Sequence, residues 1–323
     1  MRRGFRSCLG SILKDILEKR AAIVRGIRKF FDEQGFIEVE TAVRIAAPAP
    51  EEHIDCPPVV GGGYLRASPE LQMKKLLAAG MDSIYQIGPC FREGERGSRH
   101  NPEFTMLEWY RKGASYLDIA EDLKSLVLSL MSSREDMRLE TKDAREGFET
   151  LAVRDAYLKF AGWDPWEEWN QDRFDFDMAT KIEPAIKSIG GGVFLMDYPP
   201  QAASLAKIVP CASCLVPCAG EGARSTEHEA RSTSYAERWE FYWDGMELAN
   251  CFTELCDRDE QLKRFVAAKE SRKLLKESDY PIDSEFIESL PLMGPASGVA
   301  LGVDRLVMIL TKTKEISAVR AHI

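Results

Sequence analysis

Long apolar runs are missing from this 323-residue chain. No stretch approaches the roughly 18 apolar residues that read as a membrane-spanning helix, so no membrane association is expected. From Cys8 to Leu17 the pattern is broken by Lys14 and Asp15, which leaves out the continuous apolar core of a secretory leader. Basic runs are scarce. None extends beyond Met1–Arg6, and the formal net charge is −9. Nucleic-acid binders draw most of their affinity from Lys and Arg on phosphates, so this balance disfavours a nucleic-acid partner and suits a basic protein instead. Eight cysteines are scattered without the framework of a small disulfide-stapled domain. Reduced thiols and a cytoplasmic location are therefore expected. Internal repeats are absent, and a 45% hydrophobic fraction is ordinary for a globular protein.

What is present is patterned. Ile12, Ile16, Ile23, Ile27, Phe30 and Phe31 fall near helical spacing, predicting a helix over Ile12–Gln34. Gly35 stops it where a left-handed cap is cheapest, and Phe36–Glu40 alternates as a strand. Residues 44–63 read as loop. After a short strand at Tyr64–Arg66, Ser68 and Pro69 are placed to cap and begin a helix to Ala79, with Lys74 and Lys75 on its solvated face. Further helices are predicted over Leu117–Met131, Leu151–Phe160, Phe174–Ile189 and Asp257–Lys276, with a polar connection over Ser132–Thr150. Strands are predicted at Val193–Tyr198 and over Glu237–Leu255, the latter turning at Asp244–Gly245. A strand at Val299–Leu301 leads into a helix from Asp304. Trp163, Trp166 and Trp169 read as a packed surface patch. Residues 207–235 read as a flexible insertion; Cys211, Cys214, Cys218 and His228 within it offer a zinc alternative on a weak spacing signal.

The stretch that organises the rest is Tyr85–Arg111. Two apolar runs flank a loop holding Gly94 and Gly97 and five charged residues from Arg92 to Arg99. Such a hairpin sets an arginine, which forks onto phosphate, beside Phe104, a flat face for a purine. A solvated turn over a buried Phe would read the same from spacing alone. Farther on, Glu247, Leu248, Asn250 and Glu254 lie on one predicted strand. Glu247 and Glu254 stand seven residues apart, an odd step that reverses the face. A bulge or a strand end must intervene if both enter one pocket.

Arg99–Glu108 (RHNPEFTMLE) closely resembles motif 2 of the class II aminoacyl-tRNA synthetases, in their lysine branch. Gly298–Arg305 (GVALGVDR) resembles motif 3, and Phe30–Thr41 (FFDEQGFIEVET) resembles motif 1, though Ala42 stands where that family has Pro. The three motifs occur in order and span nearly the whole chain. The resemblance implies an α+β catalytic domain, residues 1–323, with a six- or seven-stranded antiparallel sheet flanked by helices, dimeric through motif 1. Within the family the likeness is to short lysine-branch paralogues, without the anticodon-binding barrel, that modify elongation factor P.

By that resemblance ATP is a substrate, with Mg²⁺ expected. Arg92 meets its α-phosphate and Arg305 its γ-phosphate. His100, Asn101 and Phe104 surround the adenine, joined by Glu93 or Glu95 across Gly94, because the family's Arg-x-Glu is shifted here. Glu247 takes Mg²⁺–ATP, Leu248 and Gly302 adjoin the nucleotide, and Gly298 and Gly302 suit a close backbone approach to it. The amino acid is lysine or (R)-β-lysine. Glu254 takes its ε-ammonium, while Glu70 and Glu108, with Tyr110 beside them, take the α- or β-amino group. Ser68, Pro69, Asn250 and Ala300 complete the pocket. Ser68 replaces the usual Ala and Ala300 the usual Gly of lysyl-tRNA synthetases; both reshape the pocket near the amino-acid backbone and point away from an ordinary lysyl-tRNA synthetase. A ligase with another acceptor, or a non-catalytic paralogue that binds amino acid, stays open at this point.

Overall fold

The computed structural model describes residues 2–133, 147–210, 234–275 and 277–321. Helix α1 (Arg2–Glu33) starts ten residues before the predicted Ile12. It ends as expected at Gly35, whose φ of +74° is left-handed. Strands β1 (Ile37–Glu38), β2 (Arg44–Ile45) and β3 (Tyr64–Leu65) are short, and β2 forms inside the predicted loop by pairing with β3. Helix α2 (Glu70–Ala78) has Pro69 at its N-cap position. Ser68 thus stands one residue earlier than a cap, although its hydroxyl still accepts from the Glu70 N–H at 2.9 Å.

The predicted hairpin is β4 (Ser83–Phe91) paired antiparallel with β5 (Glu103–Lys112). Helix α3 (Tyr116–Ser132) follows behind a Ser115–Asp118 capping box. Beyond it come β6 (Phe148–Ala152), α4 (Val153–Ala156, continued by a π-helical turn Tyr157–Ala161), α5 (Gln171–Asp177, continued through Met178–Ile182 and Glu183–Ile189) and β7 (Gly192–Tyr198). The remaining elements are β8 (Ile208–Pro210), β9 (Ser234–Trp243), β10 (Met246–Thr253), α6 (Arg258–Leu275), α7 (Ser284–Met293), β11 (Ala296–Gly302) and α8 (Val303–Thr311).

One nine-stranded sheet runs β1-β4-β5-β11-β10-β9-β7-β6, with β8 added on β9. The six strands from β4 to β7 in that path pair antiparallel throughout, and only the edge pairs β1–β4 and β6–β7 are parallel. This is the α+β, mostly antiparallel sheet that the resemblance implies. One face packs on α1, α3 and α8 through Ile27, Phe31, Leu123, Trp109, Trp239 and Leu306. Smaller apolar clusters lie under α4–α5 and between α2 and α7.

Two expectations change. The helix predicted from Leu151 begins at Val153, because Phe148–Ala152 is strand. Phe148 packs on Phe194, Phe241 and Trp243, a tertiary contact that local propensity does not register. The ends of the 207–235 insertion are also strand: Ile208–Pro210 pairs with Ser234–Ala236. The cysteines and His228 of the zinc alternative lie outside the described residues. Of the tryptophans, Trp163 is buried with its indole N–H on Asp177, while Trp166 and Trp169 are partly buried. No helix among the described residues is long and apolar enough to cross a membrane.

Candidate active site

A cavity of about 320 Å³ opens between the β4–β5 loop, β10, β11 and the start of α8. Its lining includes Glu95, Arg92, His100, Asn101 and Phe104 from the hairpin, and Glu247, Leu248 and Asn250 from β10. Ala300, Gly302 and Arg305 line it from motif 3, and Ser68 and Glu70 from the start of α2. Residues scattered over more than 230 positions thus meet because β5, β11 and β10 are adjacent strands.

One end is cationic. The Arg92 guanidinium lies 5.3 Å from the centroid of the Phe104 ring and 3.5 Å from Glu95. Its Nε has no acceptor among the described residues, so part of its fork remains available. Glu95 lines the cavity, whereas Glu93 is exposed and does not. Of the two glutamates, Glu95 is thus the one that faces the cavity, and Gly94, at φ +77°, makes the turn between them. Arg305 donates to the Glu247 carbonyl at 2.7 Å and lies 3.4 Å from that residue's carboxylate. It also meets His100 Nε2 at 2.6 Å. Burial, and then Arg305, hold the imidazole below its ordinary pKa; since a guanidinium only donates, Nε2 is the acceptor in this contact. Burial, and then the charge of Glu240, raise the Glu247 carboxyl, while Arg305, Arg92 and Arg238 act against the rise.

A bulge settles the face problem on β10. Glu247 pairs with Tyr242 and Ala249 with Phe241, so Leu248 is the extra residue. Leu248 and Ala249 both enter the main core. Removing one residue from the count puts Glu247, Asn250, Phe252 and Glu254 on one face.

The other end is acidic and layered. Ser68 donates to Glu108 at 2.5 Å, and Tyr110 donates to the second Glu108 oxygen at 3.1 Å. Burial, then the charge of Glu70, push the Glu108 carboxyl up to about 8, against the two hydroxyls and Lys74. Lys74 is not on a solvated face. It is 2% exposed, and its Nζ lies 2.5 Å from both Glu70 and Glu254. Burial alone would lower its pKa, but Glu254 and Glu70 outweigh burial and hold the ammonium charged. Pro69, Glu108, Tyr110 and Glu254 do not line the cavity. Ser68 reaches Glu108, which in turn holds Tyr110, and Glu254 is linked to Glu70 through Lys74.

Gly298 serves a different purpose from the one expected. A Cβ there would fall 2.1 Å from the Tyr110 ring, so the glycine makes room for tyrosine packing rather than for a nucleotide. At Gly302 a Cβ would meet only the Arg305 side chain, at ordinary contact distances.

Sequence reasoning missed Lys74, Glu51, Glu240 and Arg238. Lys74 was signalled by its i+4 spacing from Glu70. Glu240 and Arg238 were signalled by the Asp244–Gly245 turn, which sets them opposite Asn250 and Phe252. Arg238 bonds Asn250 at 3.2 Å and Glu240 at 2.5 Å. Glu51 sits in a proline-rich loop that carries no periodic signal.

The family model for class II tRNA synthetases (D, K and N) matches residues 2–322. The chain is 36% identical to the elongation factor P–(R)-beta-lysine ligase of Proteus mirabilis over 94% of each chain. It is 37% identical to the protein of that name from Yersinia enterocolitica and 34% to that from Vibrio cholerae, again over 94% of each chain. A match over nearly every residue, with motifs 2 and 3 on adjoining strands around one cavity, means that the chain belongs to the class II tRNA synthetases of the D, K and N group.

Proposed function

We propose that this protein is an ATP-dependent ligase that activates lysine or (R)-β-lysine as an adenylate and transfers it to a lysine side chain of elongation factor P. The observation that carries the reading is the polarity of the cavity. Arg92 and Arg305 stand at one end, and Glu51 and Glu70 line the other, backed by Glu108 and Glu254 behind the cavity wall. A triphosphate needs the first, and an amino acid with two ammonium groups needs the second.

A substrate carboxylate oxygen attacks the α-phosphorus of ATP, and the bond to pyrophosphate breaks. The acceptor amine then attacks the acyl carbon, an amide forms, AMP leaves and the amine releases a proton. Neither step needs a nucleophilic side chain; the protein supplies position and electrostatics. Arg92 holds the α-phosphate and Arg305 the γ-phosphate end, with Glu95, His100, Asn101 and Phe104 about the adenine. Glu247 suits Mg²⁺: its carboxylate faces the cavity, and repulsion from Glu240 would be relieved by a cation. Mg²⁺ is commonly held by one or two carboxylates plus substrate phosphates, so Glu247 would hold the ion and the ion would neutralise phosphate charge. Residues 1–323 as one catalytic domain, a homodimer through α1 and a cytoplasmic location complete the reading.

The test is the mass of elongation factor P after incubation with the protein, ATP and either diamino acid. A gain of one lysyl unit is expected. Pyrophosphate exchange without that gain would mean another acceptor, and no exchange with either amino acid would mean a non-catalytic relative.

A further inference from the structure

We propose that Arg320 is a positioning residue for the nucleotide: it holds the start of β5 at the point where the sheet stops supporting it, and so sets Phe104 and Arg92 for ATP. The proposal rests on the reading of the cavity as an ATP site. Strand β11 pairs with β5 only as far as Gly302, opposite Met106. The pairing of β4 with β5 continues past that point, through Thr105 and Phe104 to Glu103. Among the described residues, no strand continues beside β5 on the β11 side over Glu103–Thr105. Backbone groups left without partners there would be costly.

Side chains take the place of the missing strand. Asp304 accepts from the Thr105 N–H at 3.0 Å, and Arg320 donates to the Glu103 carbonyl at 2.6 Å. Residues two apart on a strand present their backbone groups to the same edge, so the two side chains continue one ladder. The Arg320 guanidinium also reaches the Glu103 carboxylate at 2.5 Å and lies 4.0 Å from Asp304. Asp304 is buried and pairs with Arg20 of α1 at 2.6 Å, and Arg20 donates to the Thr105 hydroxyl at 2.8 Å.

Arg320 is itself anchored. Helix α8 stops at Lys312, whose left-handed φ of +54° turns the chain. A short helical turn, Ile316–Val319, follows, and Ile316 and Val319 are buried in the main core. Ile316 also lines the cavity, and its N–H donates to the Ser98 carbonyl at 2.8 Å. The segment therefore grips the motif 2 hairpin twice, at Ser98 in the loop and at Glu103 on β5. His100 and Asn101 lie between the two grips, and Phe104 follows the second. Phe104 points to the opposite face of β5 from Glu103 and lines the cavity. Arg92 lies across the hairpin: its N–H donates to the Pro102 carbonyl at 2.9 Å, and its guanidinium stands 5.3 Å from the centroid of the Phe104 ring. A backbone shift at Glu103 displaces both contacts, and groups that act by position tolerate little displacement.

The experiment is calorimetric titration with the α,β-methylene analogue of ATP, alongside ATP–pyrophosphate exchange, in Arg320→Met, Arg320→Lys and Glu103→Ala. Loss of a charged donor on a backbone carbonyl predicts a Kd for the analogue, and a KM for ATP, about 5- to 20-fold higher in Arg320→Met. An ammonium still donates, so Arg320→Lys should fall between, about 2- to 5-fold up. Glu103→Ala removes the carboxylate but keeps the carbonyl, and should stay near wild type. The KM for lysine should hardly move, because β5 at Glu108 is paired on both sides, by β4 and β11. An Arg320 that merely supports the fold would lower the melting temperature and leave the Kd of the folded protein unchanged, which overturns the proposal. Equal weakening of ATP and lysine overturns it too, as does a loss in Glu103→Ala as large as in Arg320→Met. If Arg320→Met does not fold, Arg320→Lys decides, and a wild-type Kd there overturns the proposal. Wild-type protein that binds no analogue defeats the reading of the ATP site as well; wild type that binds it, beside an unaffected Arg320→Met, defeats Arg320 alone.

Discussion

Lys74 stands four residues after Glu70 on α2, a spacing worth only about 0.3–0.5 kcal/mol on an exposed helix. Burial changes the magnitude. With its ammonium 2.5 Å from both Glu70 and Glu254, its removal leaves two carboxylates facing each other out of water. Lys74→Met should cost about 3–5 kcal/mol in urea unfolding, and adding Glu254→Gln should restore part of the loss, because the two sites share one pair. A full loss in the double variant would mean that packing, not charge, is at stake. Glu108 gives a pH signature. Its folded pKa of about 8 exceeds the ordinary value of 4.5, so across that window the folded protein keeps a proton that the unfolded chain has released. The stabilisation is full below the unfolded value and is lost as pH rises through the folded one. Between pH 5 and 8 the wild type should lose stability on the order of a few kcal/mol more than Glu108→Gln; parallel curves would show that the carboxyl is already ionised.

On the scale of elements, the bulge at Leu248 decides which side chains enter the cavity. Deleting Leu248 removes the doubled core residue and leaves Glu247, alternating with Ala249, on the cavity face, so pyrophosphate exchange should survive in the folded fraction. Leu248→Ala keeps the register. It should cost about 2–5 kcal/mol of stability and leave exchange measurable in the folded fraction. Loss of exchange in a deletion variant that still folds would show that the bulge geometry itself, and not only the face of Glu247, is needed. The odd spacing of Glu247 and Glu254 announced that some irregularity was required; its position was not legible, because it depends on how Tyr242 and Phe241 align across the turn. The hairpin, the Gly35 stop and the β10–β9 turn were legible because each rests on local chemistry, such as the positive φ of Asp244 and Gly245. Strand β6, helix α7 and the burial of Lys74 were not. Each is fixed by partners distant in sequence: Phe148 by β7 and β9, helix α7 by α2, and Lys74 by Glu254 just past β10.

For the whole molecule, charge sets what can approach the cavity. A net charge of −9 repels a phosphate backbone at long range and attracts a basic loop that presents a lysine. An acceptor protein needs only a complementary patch at the cavity mouth, whereas a tRNA gains affinity by having many phosphates neutralised at once. Transfer to elongation factor P should therefore slow as salt rises, since the screening length falls from about 10 Å at 0.1 M to about 3 Å at 1 M. Pyrophosphate exchange, which happens inside the cavity and involves no protein acceptor, should change far less over the same range. Measuring both rates in one salt series separates encounter from chemistry: a parallel decline would mean that salt acts on ATP binding rather than on docking. In the same series lysine tRNA should gain no labelled lysine at any salt concentration. Efficient charging of that tRNA, steepest at low salt and without a mass gain on elongation factor P, would place the acceptor among nucleic acids and overturn the assignment.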